Sequence, residues 1–311
     1  MSNTLDRFHI SATGLSINYM PQYLAQALGY FAEQGLSVES YVPNPWTVVL
    51  KDLDSGSSQA VVGGIWVPLC YKGRGKEYFE FAKVSSRAPM ALVAREEKKG
   101  EFRWQDLKDR IVLAPGSNSI GPAVLIKGAA RENGADDTRI RIVHDYYGDM
   151  LEELYLGGMG DILCTKSETA AALEEAGKGR VIAYLAEKAG PCPWSVYYAT
   201  PECLAREDNL CGRFTLALQK AQSWLRARDG YACREVLAEL WPGLDSRIGQ
   251  KTIDRYLAWG MWPETVELQR EELRRWEKML AEQNYILDRE IPYEEIVDPA
   301  PFHYAKEKLG L

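Results

Sequence analysis

Small polar residues separate a strand-like run from a helical run at residues 111–133, where IVLAPGSNSIG precedes PAVLIKGAAREN. If a helix begins near Ile120, the backbone N–H groups from Ser117 onward and the hydroxyls of Ser117 and Ser119 face a ligand. Partial positive charge at a helix N-terminus favours an anionic group. The turn lacks the Gly-Lys-Ser/Thr ending of a nucleotide-binding loop. It therefore predicts a site for a small anion, and the alternative is that Ser119 only caps the helix.

Two cations follow strand-like runs and are further candidates for this site. Arg87 comes after YFEFAKVS, and Lys166 comes after GDILCT, where a short helix starts. Both side chains can hold a carboxylate, sulfonate or phosphate, and solvated surface positions are the alternative. The aromatic residues that can stack on a flat organic ligand, each equally suited to the core, are Tyr19, Trp66, Tyr146, Tyr147 and Trp194.

Catalytic chemistry has weaker candidates. Cys164 ends a strand two residues before Lys166, whose charge lowers the pKa of a nearby thiol, but a buried structural cysteine is the favoured alternative. His9 and His144 lie inside apolar runs and are predicted to be structural. The six cysteines include no CxxC pair and no histidine at metal spacing, so neither a metal site nor a cofactor is predicted.

The elements that position these residues alternate between strands and helices. Strand-like FHISAT is followed by helical PQYLAQALGYFAEQ, and the alternation restarts at RIVLAPG with helices predicted over 120–133, 149–157 and 167–176. Such a rhythm predicts α/β architecture. After WSVYYATPE the chain becomes mainly helical, with Leu273, Trp276 and Leu280 on one face of an amphipathic stretch.

Composition limits the partners. The 311 residues carry a net charge of −7 and no basic stripe, so a nucleic-acid partner is excluded from the prediction. No run of about 18 apolar residues predicts a membrane span. The start MSNTLDRFHISATG lacks the pattern of a secretory leader; the expected location is therefore cytoplasmic as written, and periplasmic or at the cell surface if a leader was removed.

The order of motifs over residues 8–200 resembles the bacterial solute-binding proteins of the sulfonate, taurine and nitrate type, together with the NMT1/THI5-like branch. The segments that carry the resemblance are PQYLAQALGYFAEQGLSVE, LDSGSSQAVVGGIWVP, DLKDRIVLAPGSNS, MLEELYLGGMGDIL and AAALEEAGKGRVIAY. The resemblance implies the type II periplasmic-binding-protein fold, in which two α/β lobes enclose a hinge cleft. It predicts a first lobe over 1–93, a second lobe over 94–193, and a return to the first over 194–311 with the helical tail packed on it.

The resemblance also implies that loops following strands bind the ligand in the cleft. Carried over position by position, the predicted ligand-binding residues are Ser16, Asn18, Tyr19, Gly64, Trp66, Arg87, Gly116, Ser117, Asn118, Ser119, Tyr147, Lys166 and Trp194. The predicted function is binding of a small organic, anionic ligand (a sulfonate, carboxylate or pyrimidine-like compound) in the manner of a substrate-binding protein of an ABC transporter. The partners are that ligand and, if the role is transport, an ABC permease.

Departures from the family pattern keep a second function open. Transport-linked members are exported or lipid-anchored, whereas the start MSNTLDRFHISATG lacks the pattern of a secretory leader. In addition, Lys166 stands where the family often has an aromatic residue. Desulfinase relatives use a cysteine nucleophile in the first loop, which here reads TGLSINYM, with Ser16 near the equivalent position. The alternative function is therefore a cytosolic enzyme, such as a desulfinase, a decarboxylase or another lyase or hydrolase, with Ser16 and Cys164 as weak catalytic candidates.

Overall fold

Two five-stranded sheets, each flanked by helices, form the frame of the protein. The structure, a computed structural model, describes residues 5–95, 100–116, 120–287 and 290–311. The predicted two-lobed α/β architecture is confirmed. Ser117, Asn118 and Ser119, which the sequence places at the candidate anion site, lie outside the described residues.

The first sheet has the strand order β2-β1-β3-β10-β4. Its strands are β1 Asp6–Ala12, β2 Leu36–Tyr41, β3 Ala60–Gly64, β4 Phe79–Ser85 and β10 Ser195–Ala199. Strand β1 runs parallel to β2 and β3, whereas β10 is antiparallel to β3 and β4. Strands β3 and β10 are buried along their whole length, as unbroken apolar runs at the centre of a covered sheet should be.

Short helices connect these strands. They are α1 Met20–Ala27, α2 Tyr30–Glu33, α3 Val49–Asp54 and α4 Trp66–Tyr71. Single 3₁₀ turns at Ile17–Tyr19 and Trp46–Val48 precede α1 and α3. These turns hold the loops that follow β1 and β2 close to the carboxyl ends of the strands, the edge where open α/β sheets bind ligands.

The second sheet has the strand order β7-β6-β8-β5-β9. Its strands are β5 Met90–Ala94, β6 Ile111–Leu113, β7 Arg141–Val143, β8 Ile162–Lys166 and β9 Arg180–Tyr184. The helices around it are α5 Gly121–Glu132, α6 Gly148–Leu156, α7 Ser167–Glu175 and α8 Leu185–Lys188. Helices α5, α6 and α7 match the predicted ranges within one or two residues. Further 3₁₀ turns lie at Trp104–Leu107 and Asp137–Arg139.

The chain passes between the sheets twice. It leaves the first sheet after β4 at Ser85 and enters the second at Met90, where β5 pairs with β8 and β9. It returns through residues 189–194 into β10. The domain limits at 93/94 and 193/194 stay a prediction, because the sheet to which a strand belongs does not by itself define where a domain ends.

Helices dominate after β10. They are α9 Pro201–Leu204, α10 Leu210–Arg226, α11 Arg234–Leu240, α12 Ser246–Trp259, α13 Arg270–Glu282 and α14 Ala300–Leu309, with 3₁₀ turns at Gly230–Cys233 and Tyr293–Glu295. Helix α10 packs on α1 and α14, over the first sheet. The predicted buried face of α13 is correct, since Leu273, Trp276 and Leu280 are buried. Helix α13 contacts α5 of the second lobe as well as α4.

Candidate functional site

A cavity of about 710 Å³ lies between the two sheets, bordered by loops that follow the strands of both lobes. The first lobe contributes the loop after β1, the start of α4 and the start of β10. The second lobe contributes the start of α5, the N-terminal turns of α6 and the end of β8. A volume of this size suits a small organic ligand.

Most of the residues that the sequence assigns to the ligand border this cavity. They are Ser16, Asn18, Tyr19, Gly64, Trp66, Gly116, Tyr147, Lys166 and Trp194, joined by Cys164. Tyr146, the remaining stacking candidate, is not in the lining and is 38% exposed. The structure therefore brings residues together that lie up to 178 positions apart in the chain, from Ser16 to Trp194.

Arg87 is not brought to the cavity. Its guanidinium donates a hydrogen bond from Nη1 to the carbonyl of Ala186 at 2.8 Å, and burial lowers its pKa. The side chain thus packs beside the passage from β4 to β5 instead of facing the ligand cavity. Arg87 therefore lies outside the lining of this cavity.

The floor of the cavity is a buried polar cluster centred on Asn18, which is 1% exposed. The Asn18 amide donates to the hydroxyls of Ser85 at 2.9 Å and Ser195 at 3.0 Å. Its backbone carbonyl accepts a hydrogen bond from the Trp262 indole at 2.9 Å. Because these partners come from β4, β10 and the helical tail, Asn18 fixes the loop after β1 against the rest of the first lobe.

The indoles of Trp66 and Trp194 form one wall of the cavity, and the buried indole of Trp276, which is not in the lining, packs against both. The centroid of the Trp66 ring lies 5.1 Å from that of Trp194 and 4.9 Å from that of Trp276. Trp276 also donates from its indole nitrogen to the Pro193 carbonyl at 2.6 Å. Trp66 is 7% exposed and Trp194 is 8% exposed, so both serve the core and present one limited face to the cavity. The two roles that the sequence allows for Trp66 and Trp194, stacking on a ligand and packing in the core, are thus compatible.

Glycines allow backbone segments to approach this wall and the neighbouring loop. A methyl group built on Gly64 would lie 2.0 Å from the Trp66 ring, and one built on Gly116 would lie 1.7 Å from the His144 carbonyl oxygen. Neither position accepts a side chain without rearrangement. The Gly116 turn is therefore packed directly against the loop after β7, which carries Tyr147.

The charged side chains of the lining have both signs. Lys166 donates from Nζ to the Leu15 carbonyl at 3.2 Å, a contact between the second lobe and the first. Arg74 donates to the carbonyls of Cys70 at 2.6 Å and Tyr285 at 3.3 Å. Asp149 and Glu152 add two carboxylates on one face of α6.

Glu152 is the half-buried member of this pair of carboxylates, since Asp149 is exposed. Burial raises the pKa of the Glu152 carboxyl, while a hydrogen bond from the Thr165 hydroxyl at 2.7 Å opposes that shift and Asp149 adds to it. A carboxyl with a raised pKa, half-buried beside a lysine, can hold or release a proton when a ligand binds.

The two weak catalytic candidates border the cavity but lack the activation that catalysis needs. Burial raises the pKa of the Cys164 thiol to about 12, so the expectation that Lys166 would lower it is wrong. Within the described residues, no histidine or carboxylate is hydrogen-bonded to the Ser16 or Cys164 side chain. Neither side chain has the base partner of an activated nucleophile.

Sequence reasoning missed several lining residues. Glu152 was detectable, since it lies three positions after Asp149 and therefore on the same face of a predicted helix. Trp46, Arg74 and Tyr285 were not, because nothing in their local sequence indicates that the chain returns to the cleft there. In the parts of the chain that the structure describes, no group of three or more His, Cys, Asp or Glu side chains is arranged to hold a metal ion. The described helices include none with the length and apolarity to span a membrane.

Two of the known proteins that resemble this chain are named as binding proteins. A protein of Bacillus subtilis (strain 168), named "Putative binding protein YtlA", is 24% identical over 304 residues, which is 95% of this chain and 88% of that protein. The alkanesulfonate-binding protein SsuA from Xanthomonas axonopodis pv. citri, solved with MOPS bound, is 15% identical, with a TM-score of 0.70 over 93% of this chain and 97% of its own.

DszB, named as a desulfurization enzyme, shares the fold as well. A mutant of DszB in complex with biphenyl-2-sulfinic acid is 13% identical, with a TM-score of 0.69 over 97% of this chain and 99% of its own. At these identities the two solved structures establish the fold only. The model of the family described as "NMT1/THI5 like" matches residues 16–229, more than two thirds of the sequence. The chain therefore belongs to the NMT1/THI5-like family.

Proposed function

We propose that this protein is a solute-binding protein that closes its two lobes over a small organic anion. The observation that carries the proposal is the cavity of about 710 Å³, which is bordered by both lobes and combines indole walls with a buried polar floor. Hinge closure around a ligand is the usual action of such a cleft. YtlA and SsuA, both named as binding proteins, support the same role.

Lys166 supports an anionic group on the ligand. Its ammonium is exposed, and the hydrogen bond that it makes among the described residues goes to a neutral carbonyl, that of Leu15, at 3.2 Å. A sulfonate or carboxylate oxygen is a stronger partner for an ammonium than a carbonyl is. Helix α5 begins at the cavity, with Ile120 and Pro122 in the lining, and its N-terminal dipole favours negative charge at the same end.

The carboxylates of α6 refine the proposal. Asp149 and Glu152 repel a ligand that is anionic throughout, so the ligand carries its charge at one end only, where Lys166 also balances the adjacent Glu152 carboxyl. Its other end is apolar or aromatic and rests against the indoles of Trp66 and Trp194. A permease partner and a place of action outside the cytoplasmic membrane belong to this role if it is transport.

A thermal-shift screen with alkanesulfonates, arylsulfonates, aromatic carboxylates and pyrimidines tests the proposal. Compounds that bind the folded protein raise its melting temperature, and the rise grows with the logarithm of the ratio of ligand concentration to Kd. Mass spectrometry is expected to recover the bound compounds unchanged. If no member of the set raises the melting temperature, the proposal is refuted. If a compound is converted, the enzyme alternative replaces it.

Lys166→Ala tests the anionic end. Loss of a hydrogen bond to a charged group costs about 1.5 to 3 kcal/mol, which is a roughly 10- to 150-fold increase in Kd by isothermal titration calorimetry. Lys178→Ala is the matched control, since Lys178 is exposed on the second lobe and is not in the lining. If Lys166→Ala and Lys178→Ala bind the ligand with equal affinity, Lys166 is not part of the binding site.

A further inference from the structure

A second, smaller cavity lies on the first lobe, between α1 and the edge strand β2. Its volume is about 200 Å³. Strands β1 and β2 run parallel, and the cavity lies where both strands end, beside Ala12 and Val42. The carboxyl ends of parallel strands form the edge at which open α/β sheets bind ligands. The place of this cavity in the fold is therefore that of a binding site.

Most of the wall of this second cavity is apolar. Phe31 lies in the core at 2% exposure, and Val38 and Leu240 are half-buried beside it. Val42 is 47% exposed at the mouth. An apolar cavity of about 150 Å³ in another protein takes up benzene. A space of about 200 Å³ with this lining therefore accommodates one six-membered ring with a small substituent.

Gln22 of α1 supplies a polar group to the second cavity. Its side chain borders the cavity and is 2% exposed. Oε1 accepts a hydrogen bond at 2.7 Å from the hydroxyl of Tyr197, which is fully buried and not in the lining.

The other end of this amide is left without a partner. Within the described residues, Nε2 of Gln22 donates no hydrogen bond, yet it is not among the unpaired polar atoms that are fully closed off. The nitrogen is therefore accessible, and the space that Gln22 borders is the second cavity. An amide N–H at the edge of an apolar cavity favours a ligand that brings an acceptor.

We propose that the second cavity is a binding site for a single aromatic or alicyclic ring that carries one hydrogen-bond acceptor, such as a carbonyl oxygen. The ring covers the apolar wall, and the acceptor takes the hydrogen bond that Nε2 of Gln22 lacks. Among the described residues, no charged side chain borders this cavity. An ionised group would lose hydration there without a counter-charge, so the ligand is neutral, unlike the anion proposed for the cavity between the lobes.

The second cavity is next to the cavity between the lobes but distinct from it. Among the described residues, Gly14 and Leu15 border both cavities, and the two linings have no other residue in common. Val38 and Val42 border the second cavity only, whereas Trp66 and Trp194 border the cavity between the lobes only. Signals from these side chains therefore tell the two sites apart.

Site-resolved NMR of the full chain tests the proposal. Acetophenone is the probe, and α-methylstyrene is its matched control, because a CH₂ group replaces the carbonyl oxygen in a molecule of nearly the same shape. We expect acetophenone to shift the methyl signals of Val38 and Val42 in a saturable titration. The indole N–H signals of Trp66 and Trp194 are followed in the same spectra.

Val38→Phe tests the location of the ring. The larger side chain fills the cavity, and we expect acetophenone to bind roughly 5- to 150-fold more weakly, as measured by the Val42 methyl signals. Ser37→Phe is the matched control, since it places the same ring on the same strand at an exposed position outside the lining. We expect wild-type affinity for Ser37→Phe.

Gln22→Leu tests the acceptor. Wild type and variant are each titrated with both probes, and the affinity for acetophenone is divided by the affinity for α-methylstyrene. We expect this ratio to fall roughly 2- to 12-fold in the variant, because the hydrogen bond to the carbonyl oxygen is lost. A general loss of affinity in the variant affects both probes and leaves the ratio unchanged.

Four results overturn the proposal. Two come from the wild type: saturable shifts confined to the Trp66 and Trp194 signals, which place the probe between the lobes, and no saturable shift of the valine methyl signals. The third is equal affinity of Val38→Phe and Ser37→Phe for acetophenone. The fourth is an unchanged affinity ratio in Gln22→Leu. The wild-type readouts stand even if a variant fails to fold.

Discussion

Gly121→Ala perturbs the contact between the two lobes with a single methyl group. Gly121 is the first residue of α5 in the second lobe, and Trp66 is the first residue of α4 in the first lobe. A Cβ atom built on Gly121 lies 2.4 Å from Cη2 of Trp66 and 2.7 Å from two further ring carbons. Carbon atoms in favourable contact are about 3.5 to 4.0 Å apart, so the helix and the ring must separate by about 1 Å.

The ring has little room to yield. Trp66 is 7% exposed and packs against Trp194 and Trp276. The same edge of the ring also approaches Gly64, with a ring carbon 2.0 Å from the position of a Gly64 Cβ. The clash between the new methyl group and the Trp66 ring is therefore relieved by separation of the lobes. Overpacking of this kind costs about 1 to 3 kcal/mol, and because the cost falls on the state with the lobes in contact, it weakens ligand binding roughly 5- to 150-fold.

Calorimetry with the most stabilising compound of the thermal-shift screen measures this loss, and small-angle scattering of the ligand-free variant measures the opening. Gly148→Ala is the matched control: Gly148 borders the same cavity, yet no heavy atom lies within 4 Å of its Cβ position. Wild-type affinity for Gly121→Ala would refute the reasoning. The reasoning would also be refuted if the free energy of unfolding of the ligand-free variant fell by the full 1 to 3 kcal/mol. The added methyl group would then destabilise the fold itself instead of opposing lobe closure.

Two further predictions concern stability. Glu80 is fully buried, with neither oxygen hydrogen-bonded within the described residues, and burial raises its carboxyl pKa well above 4.5. The free energy of unfolding of the wild type therefore falls as pH rises from 4.5 through that raised pKa. Glu80→Gln removes this fall and is about 1 to 3 kcal/mol more stable than the wild type at pH values above the raised pKa. If urea unfolding gives the same pH dependence for wild type and variant, the prediction is contradicted. Arg275→Ala loses the 2.6 Å ion pair with Glu132 and costs about 1.5 to 3 kcal/mol in the same assay, against little change for the exposed Arg274→Ala.

Elements with strong local patterns could be predicted from the sequence. Helix α5 was predicted over 120–133 and is observed over Gly121–Glu132, because Gly-containing turns bound an apolar run of helical period. Lys166 was predicted directly after a strand-like run, where a short helix starts, and it is both the last residue of β8 and the N-cap of α7, at the cavity edge. Strand ends converge at one sheet edge, so a position at such an end is enough to place a residue near the cleft.

The direction of a long side chain could not be predicted in the same way. Arg87 lies two residues after the end of β4, close to a strand end as Lys166 is, yet its guanidinium donates a hydrogen bond to the Ala186 carbonyl. Which way an arginine turns depends on carbonyls brought close by distant parts of the chain. Tyr285 illustrates the reverse case: it borders the cavity although its local sequence belongs to the end of an amphipathic helix.

Helix α13 shows why the place of the tail matters for closure. The sequence assigned the tail to the first lobe, but Arg275 of α13 bonds Glu132 of α5 and the carbonyls of Ala189 and Pro191 on the returning passage. A second ion pair joins Glu282 to Arg131 of α5 at 2.6 Å.

Helix α13 is bonded to the first lobe as well. Nζ of Lys83 in β4 donates to both carboxylate oxygens of Glu272 in α13, at 2.7 and 2.6 Å, and the Lys83 side chain is buried. Because α13 is bonded to both lobes, we expect it to resist their separation, since opening has to break ion pairs on one side of the helix. Trp66 of the first lobe also lies directly against Gly121 of the second, so a ligand that packs against Trp66 acts directly on lobe closure.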